Sequence, residues 1–574
     1  MPSPSALQVA GERGISERLA GLLAGRGAIS GNDLVAWFAD PLDGLHDPME
    51  LPDAALTLAR MRAARDRGER VMVFGDFDAD GLTGLAIMTL ALRRMGVAVE
   101  PYVPSRLDEG HGLSIAALDA AVRTGATLIV TVDCGTTSVA EIAEANVRGI
   151  DVIVTDHHRV PAILPPALAV VNAHRPDSTY PDRRLAGSGV AFKVAQLLLA
   201  EEPGGPAFAL ALADLATIGS VADVAPVVGE NRAIARLGLE RLRRAPRPGI
   251  AALLERARIA PQAVDLETVS FAIAPRLNAA GRVGEALEAA KLLLAEDATE
   301  AGTHADALEA ANLTRRDLMK SAVAEARSAI ADMPDAAATV VRGPWSVGIV
   351  GLVAARLVED RGRPAVVGAD LGDVVRASCR SDGSLDLGAA LEGCADLFVR
   401  FGGHAGAAGF EIAADRWDAF TERFLAIAAR TAPPDPRVSI VVDLALPAVD
   451  IDYALFRELA GLAPCGPGNP DPLVAVLGLT VTRVRAATGG HTQLTLRRER
   501  DVLDGIAFGR PDIAEMVREG DRLDVVARLT SRTFGGFESL QLDIRDVATS
   551  GSHPQTAAVL AARGLGPVLV ASAS

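Results

Sequence analysis

Three aspartates recur at alternate positions in the segment Val71-Met-Val-Phe-Gly-Asp-Phe-Asp-Ala-Asp-Gly-Leu-Thr-Gly84. Asp76, Asp78 and Asp80 directly follow an apolar run that reads as a buried strand, so the carboxylates gather at its C-terminal end. Carboxylates crowded there repel one another unless cations neutralise them. A pair of divalent metals is the fitting neutraliser, because two-metal sites handle phosphoryl oxygens in hydrolases. The segment superficially resembles a calcium loop, but it lacks the Glu that an EF-hand needs six residues after its Gly. The bland alternative is a solvated acidic turn.

Three more segments could contribute to such a site. Asp133 closes Thr131-Val-Asp-Cys-Gly135, where ligation and helix capping are equally open. In Asp156-His157-His158, adjacent imidazoles on a strand would diverge, but at a loop they can point together. One can ligate a metal through a ring nitrogen while its neighbour holds a phosphate oxygen or a proton. Asp156 could orient a ligand from behind; a surface turn with two solvated histidines is the competing reading. Asp223 lies in the otherwise apolar Ile218-Gly-Ser-Val-Ala-Asp-Val-Ala-Pro226 and needs a partner, either a metal or a helix N-terminus that it caps.

The elements that must position these groups alternate between strand and helix. Strands are expected at Val71–Phe74, near Val97–Val103, at Thr127–Val132 and at Asp151–Thr155, with helices at Ala54–Arg67, Leu82–Met95 and through Glu144. This pattern implies a parallel sheet covered on both faces, with ligands bound beyond the carboxyl ends of the strands. Each candidate acid or histidine group up to His158 falls at such an end. Residues 1–55 read as a small helical cap, and residues 190–300 as mostly helical. A long helix is expected from Glu285 to Met333. A second α/β unit runs from Ala338 to about residue 430, and Thr431–Arg437 is a proline-containing linker. Short strand-like runs at Val474–Val484, Gln493–Leu496 and Leu523–Leu529 suggest a small β-barrel over 438–548. The tail after 550 has no assigned role.

Length and composition fit this picture. A chain of 574 residues holds about three or four domains on a prior of roughly 150 residues each. Hydrophobic residues make up 49% of the chain, and aromatics 4%, so aliphatic side chains must do most of the packing. Lysine occurs only at Lys193, Lys291 and Lys320. The four cysteines are dispersed without a C-x-x-C pair, which argues against a disulfide framework or zinc knuckle and favours a reducing cytoplasm. The N-terminus is too charged for a signal peptide, and no apolar run reaches the ~20 residues that cross a bilayer. The net charge of −16 speaks against a nucleic-acid partner. It is a global sum that metal-binding acids inflate, and it leaves room for a local basic channel.

In combination and order, these four segments resemble the DHH phosphoesterase superfamily. The likeness extends to Val103-Pro-Ser-Arg-Leu-Asp-Glu-Gly-His-Gly-Leu-Ser114, Ala274-Pro-Arg-Leu-Asn-Ala-Ala-Gly-Arg282, Gly402-Gly-His-Ala-Gly-Ala-Ala-Gly-Phe410 and Leu462-Ala-Pro-Cys-Gly-Pro-Gly-Asn-Pro-Asp-Pro472. These are similar to the superfamily's single-strand-specific 5′→3′ exonucleases. The resemblance implies a helical segment (1–55), a parallel-sheet DHH domain (56–300), a connecting helix (301–334), a DHH-associated α/β domain (335–432), an OB-fold (438–548) and a tail (549–574). It further implies that Asp78 holds one metal and Asp80 the other, that Asp133 bridges them, and that His157 and Asp223 complete the second site, with Asp76 supporting the cluster. The metals would be Mn²⁺, preferred for the imidazole, or Mg²⁺. They would activate water and stabilise charge on the scissile phosphate, with Asp156 and His158 as catalytic groups and His158 at that phosphate. Gly402, Gly403 and His404 would approach the substrate, although a tight turn with a packed imidazole is the plain reading of that segment alone. Ser378, Arg380 and Arg106 would hold the 5′ end, and Arg276 and Arg282 would contact backbone phosphates.

The chain departs from the pattern where His111 and Cys465 replace the usual aromatics, and its barrel carries few aromatics and offset charges. The resemblance implies a cytoplasmic monomer that acts on single-stranded DNA from a cleft too narrow for duplex. Helicase, single-strand-binding and mismatch-repair proteins would be its partners in recombination and repair, with no membrane involved. Two rivals remain: a DHH phosphodiesterase acting on oligoribonucleotides or cyclic dinucleotides, and a non-catalytic scaffold that binds DNA or replication proteins.

Overall fold

The computed structural model describes residues 2–106, 109–244, 246–331, 336–430, 439–534, 537–552 and 568–571. The expected linker at 431–437 and most of the tail lie outside these residues. The chain divides into two units. One comprises Leu45–Ala225 with Gly229–Pro434; the other comprises Met1–Gly44, Pro226–Val228 and Asp435–Ser574.

The first unit is built on two sheets. Strands β1 (Arg70–Gly75), β2 (Ala98–Tyr102), β3 (Ala126–Val132), β4 (Asp151–Thr155) and β5 (Ala169–Val171) form an all-parallel sheet in the order β2-β1-β3-β4-β5. Val71, Met72, Val73 and Phe74 are fully buried, as strands covered on both faces must be. The strand order reverses between β1 and β3. That is where open parallel sheets leave a crevice at the carboxyl ends of their strands.

The helix Ala79–Arg94 starts at Ala79 rather than at the expected Leu82, because Asp78 caps it by accepting from the N–H groups of Asp80 and Gly81. The helical stretch expected from about Glu285 is two helices, Leu287–Leu294 and Ala298–Ile330. The break falls where Asp297 caps the second by accepting from Thr299 and Glu300 N–H. The apolar stretch Gly205–Ala222, with a mean hydropathy of 1.5 over 18 residues, is 61% buried inside the protein. It folds as two helices, Gly205–Ala211 and Ala213–Ala222.

The helix Gly187–Leu199 is pinned by a buried ion pair, Lys193 Nζ to Glu230 Oε1 at 2.9 Å, both side chains having no exposure. Lys193 also donates to the His46 carbonyl at 2.6 Å, and Tyr180 to Glu230 Oε2 at 2.6 Å. These bonds satisfy charges that would otherwise be costly to bury. The second sheet is mixed, in the order β6 (Thr339–Gly343), β7 (Ala365–Asp370), β8 (Val374–Arg380), β10 (Ala407–Ala413) and β9 (Phe398–Gly403). Only β6 and β7 run parallel among these neighbours.

In the other unit, β11 (Ser439–Val442) pairs with β18 (Val568–Ala571), and β12 (Leu444–Leu446) runs parallel to the first barrel strand. Strands β13 (Leu473–Ala487), β14 (His491–Arg498), β15 (Asp501–Ala507), β17 (Phe537–Thr549) and β16 (Arg522–Phe534) close into a five-stranded barrel through the β13–β16 pairing. Its core includes Leu494, Leu496 and Val525, and it shares one apolar cluster with the N-terminal residues Ala6, Leu22 and Leu34. The short helices Pro4–Arg13, Glu17–Gly25 and Gly31–Phe38 therefore pack with the barrel.

Candidate metal centre

The ends of β1, β3 and β4 deliver the candidate ligands to one place. Asp76 follows β1, and Asp78 and Asp80 stand at the start of the Ala79–Arg94 helix. Asp133 follows β3 in the left-handed region, at φ 62°, which turns its side chain away from the strand path. It caps no helix: Val139–Val147 has no side-chain cap. Asp223 sits at the C-terminal end of the Ala213–Ala222 helix, so it does not cap an N-terminus. Three groups offer ligand atoms within 4.8 Å of one another: Asp76, Asp78 and Asp133; Asp80, His157 and Asp223; and Asp133, His157 and His158. Asp133 belongs to two of them.

His157 lies at the middle of these groups. Its Nε2 is 3.1 Å from Asp133 Oδ1 and 4.0 Å from Asp80 Oδ2, and its Nδ1 is 3.9 Å from Asp223 Oδ2. Asp156 explains how adjacent imidazoles come to point together. Its Oδ1 accepts from His157 N–H at 2.7 Å, from His158 N–H at 3.1 Å and from His158 Nδ1 at 2.8 Å, and its Oδ2 accepts from Thr136 N–H at 3.0 Å. The rings sit with centroids 4.5 Å apart, tilted by 52°. Bonded through Nδ1, His158 keeps Nε2 for something else.

Several residues that hold the acids escape a sequence reading. Asp80 accepts from the backbone N–H groups of Gly187 at 2.7 Å and Ser188 at 3.0 Å, at the first turn of the Gly187–Leu199 helix. A helix N-terminus favours such a carboxylate. Asn278 Oδ1 accepts from Ala79 N–H at 2.7 Å, and Asn172 Nδ2 donates to the His158 carbonyl at 2.9 Å. Gly187-Ser188-Gly189 opening an apolar helix was the available signal for an anion-holding N-terminus; nothing in the sequence singles out Asn172.

The electrostatics follow from burying so many acids together. Burial, reinforced by Asp78, pushes the Asp76 carboxyl up to about 8. Burial and then Asp80 and Asp78 push Asp223 up to about 8 and Asp133 well above the carboxylate range. Asp80 is raised by burial as well. Asp156 goes the other way. Burial would raise it, but the hydrogen bond from His158 and its charge outweigh that and hold it below the usual range. The same hydrogen bond raises His158 to about 9, while burial lowers His157.

Asp76 Oδ1, Asp133 Oδ1 and His157 Nε2 are buried without a hydrogen-bond partner. Unpartnered buried acceptors cost stability unless something else satisfies them. A set of carboxylate oxygens with one imidazole suits hard divalent cations such as Mn²⁺ or Mg²⁺.

The remaining candidates fall nearby or elsewhere. Arg106 lies over the Phe77 ring at 4.8 Å, and Phe77 meets His111 edge-on at 4.5 Å. Arg106 and Arg282 line a cavity of about 380 Å³ with Ser105, Thr314 and Ser346. Arg282 donates to the Gly348 carbonyl at 3.0 Å; burial and the charges of Arg106, Arg315 and Arg380 push it down to about 9. Arg380 donates to Ser378 Oγ at 3.1 Å. Arg276 is committed to Glu309 at 2.6 Å and to the Ala272 carbonyl at 2.8 Å. Gly402 and Gly403 close the exposed strand β9, and His404 follows in a turn, its N–H donating to the Ala407 carbonyl, with the residue exposed.

Comparison with known proteins agrees with this arrangement. Residues 70–220 match the DHH family N-terminal domain, 334–430 the DHHA1 domain and 442–546 the RecJ OB domain. The chain is 35% identical to the single-stranded-DNA-specific exonuclease RecJ of Bacillus subtilis over 512 residues, which are 88% of this chain and 64% of that protein. It is 38% identical to the Thermus thermophilus RecJ over 462 residues, 80% of this chain and 65% of that protein. It therefore spans less than two thirds of the length of both relatives. With the Escherichia coli RecJ it shares 34% identity over 519 residues, 84% of this chain and 87% of that protein. The crystal structure of the T. thermophilus RecJ in complex with Mn²⁺ matches at a TM-score of 0.81 and 32% identity, covering 96% of this chain and 79% of that one. The chain belongs to the RecJ family of DHH proteins.

Proposed function

We propose that this chain is a single-stranded-DNA-specific exonuclease that degrades its substrate 5′→3′ to 5′-mononucleotides by two-metal phosphodiester hydrolysis, in DNA recombination and repair. The observation that carries this reading is the pair Asp133 Oδ1 and His157 Nε2, buried, 3.1 Å apart and each without a hydrogen-bond partner, inside a ring of acids. The relatives named above are single-stranded-DNA-specific exonucleases, and one is crystallised with Mn²⁺.

Asp76, Asp78, Asp80, Asp133, His157 and Asp223 would hold the two ions. Bound there, divalent cations supply an activated water and neutralise the charge that builds on the phosphate. The protein's own groups do the positioning. Asp156 fixes His158 through Nδ1, so that Nε2 meets a phosphate oxygen. Gly187 and Ser188 N–H groups hold Asp80 in one orientation. Arg106, Arg282 and Arg380 repel one another across a small volume. A terminal phosphate would relieve that repulsion, and Ser378 would add a hydroxyl. That gives the polarity: a 5′ end is held while the next bond meets the acids. Gly402, Gly403 and His404 would border the strand on the other side, and Arg276 would touch a phosphate only after releasing Glu309. The partners would be a helicase, single-strand-binding and mismatch-repair proteins in the cytoplasm, with the chain acting as a monomer.

The test is hydrolysis of single strands labelled at the 5′ or the 3′ end, with Mn²⁺, Mg²⁺ or a chelator. Label should leave as mononucleotide from the 5′ side first, and not at all with chelator. Release from the 3′ side first would contradict the polarity.

A further inference from the structure

Arg106 feels the charges of Asp76 and Asp78, and it also walls a separate space. With Arg282, Ser105, Thr314 and Ser346 it lines the cavity of about 380 Å³, which lies wholly within one unit of the chain. That is the room of about a dozen waters at about 30 Å³ each, and it is within the about 300–1,000 Å³ of small-molecule sites. Among the described residues none of the candidate metal ligands lines it, and neither do Ser378 and Arg380. The cavity therefore adjoins the place assigned to a terminal phosphate, through Arg106, without being that place and without reaching the acids.

Its walls suit an anion with many oxygens. Among the described residues no carboxylate lines it. The acids nearby are taken up elsewhere. Glu109 accepts from the Ser105 N–H at 2.8 Å and from the Tyr102 hydroxyl at 3.0 Å, and Glu309 holds Arg276 at 2.6 Å. Arg315, next to Thr314, has its Nε buried without a hydrogen-bond partner, and its charge reaches Arg282. Ser346 caps the helix Val347–Arg361 by accepting from the Gly348 N–H at 3.4 Å. The positive end of that helix thus adjoins the same cavity. Guanidinium groups with hydroxyls between them match phosphoryl oxygens better than any neutral ligand.

Nothing of a strand lies upstream of its 5′ end except what that end carries. A group that adjoins the terminal phosphate, on the side away from the scissile bond, must be attached to that phosphate. We propose that the cavity receives a 5′-polyphosphate, so that the chain accepts strands beginning in a 5′-triphosphate. The proposal rests on the nuclease reading and names a further substrate class for it. Hydrolysis breaks the bond from phosphorus to the 3′ oxygen between the first two nucleotides. The oxygen of water joins the phosphorus, and the departing 3′ oxygen takes a proton. The first product is then a nucleoside 5′-triphosphate, the remaining strand begins in a monophosphate, and every later product is a mononucleotide. The reactions that supply such strands are polymerisations begun without a primer, which leave the first triphosphate in place.

The experiment uses the full-length chain with metal chelated, and reads anisotropy of one labelled oligodeoxynucleotide made with a 5′-monophosphate or a 5′-triphosphate. The triphosphate strand should bind about tenfold more tightly, the scale of one further charge-assisted hydrogen bond. Thr314 is exposed on the helix Ala298–Ile330, where Leu is a good helix former. Thr314→Leu should fill the cavity and erase the preference, with Kd for the monophosphate strand within about twofold of the parent. Thr314→Ser should keep the preference. With Mn²⁺ restored, chromatography of the first product should show an intact nucleoside triphosphate. Equal affinity of the parent for the two strands overturns the proposal. So does a folded Thr314→Leu chain that keeps the preference or weakens both strands alike, and so does release of pyrophosphate or phosphate ahead of any nucleoside triphosphate. A parent chain that prefers the triphosphate strand but hydrolyses neither refutes the nuclease activity and leaves the site standing.

Discussion

Gly219 lies directly against Asp80: a β-carbon at that position would stand 2.5 Å from Asp80 Oδ1, 2.2 Å from Ser188 Oγ and 2.4 Å from Thr83 Oγ1. The helix that carries Gly219 ends at Asp223. The missing side chain is thus what lets that helix bring Asp223 up to Asp80 and His157. Gly219→Ala should separate them and weaken one of two Mn²⁺ sites at least about tenfold, while the ion between Asp76, Asp78 and Asp133 stays. Titration calorimetry with Mn²⁺ reads this directly, and a melting curve shows whether the variant is folded. A folded variant that binds both ions like the parent would remove Gly219 from the account.

Asp133→Asn tests the acid shared by two of the three ligand groups. Asn tolerates the left-handed backbone that Asp133 adopts, so the fold should survive. Hydrolysis of a single strand should fall at least about a hundredfold, the scale of losing one electrostatic group from a reaction centre. Activity close to that of the parent would end the bridging role.

Asp156→Asn should act through His158. The amide weakens the hydrogen bond, and removes the charge, that together raise His158 to about 9. We expect a loss of about 10- to 100-fold, typical of groups that orient a metal site from behind. NMR titration of the metal-free chain should show the His158 pKa returning toward the ordinary imidazole value. An unmoved pKa with lost activity would mean that Asp156 merely supports the loop.

The raised carboxyls give a signed pH dependence. Asp76 and Asp223 have folded values of about 8, above those of the unfolded chain. The folded state then binds more protons between roughly pH 4 and 8, so stability falls as pH rises through that window. His158, raised to about 9, pulls in the same direction. The metal-free chain should therefore melt lower at pH 8.5 than at pH 6. Mn²⁺ should raise the melting temperature more at the higher pH, where fewer protons must leave. A metal-induced shift that is equal at both pH values would contradict the coupled acids.

Much of this was legible from residue order alone. Asp76, Asp133 and Asp156 each follow an apolar run that could only be a buried strand, and parallel sheets converge such ends. What stayed hidden depends on contacts between distant segments. Gly219 and Gly187 look like ordinary helix glycines until Asp80 and Asp133 are beside them. Asn172 reaches His158 from a different strand end. The helical stretch expected from about Glu285 is divided because Asp297 offers its carboxylate to two backbone N–H groups, a local capping choice that Ala-rich periodicity masks.

The most direct test of the paired-ion centre is anomalous diffraction from crystals grown with Mn²⁺. Two peaks should appear, one bounded by Asp78 and Asp133 and one by Asp80, His157 and Asp223, with Asp133 reaching both. Crystals with Mn²⁺ in the solvent and no anomalous density among these side chains would contradict it.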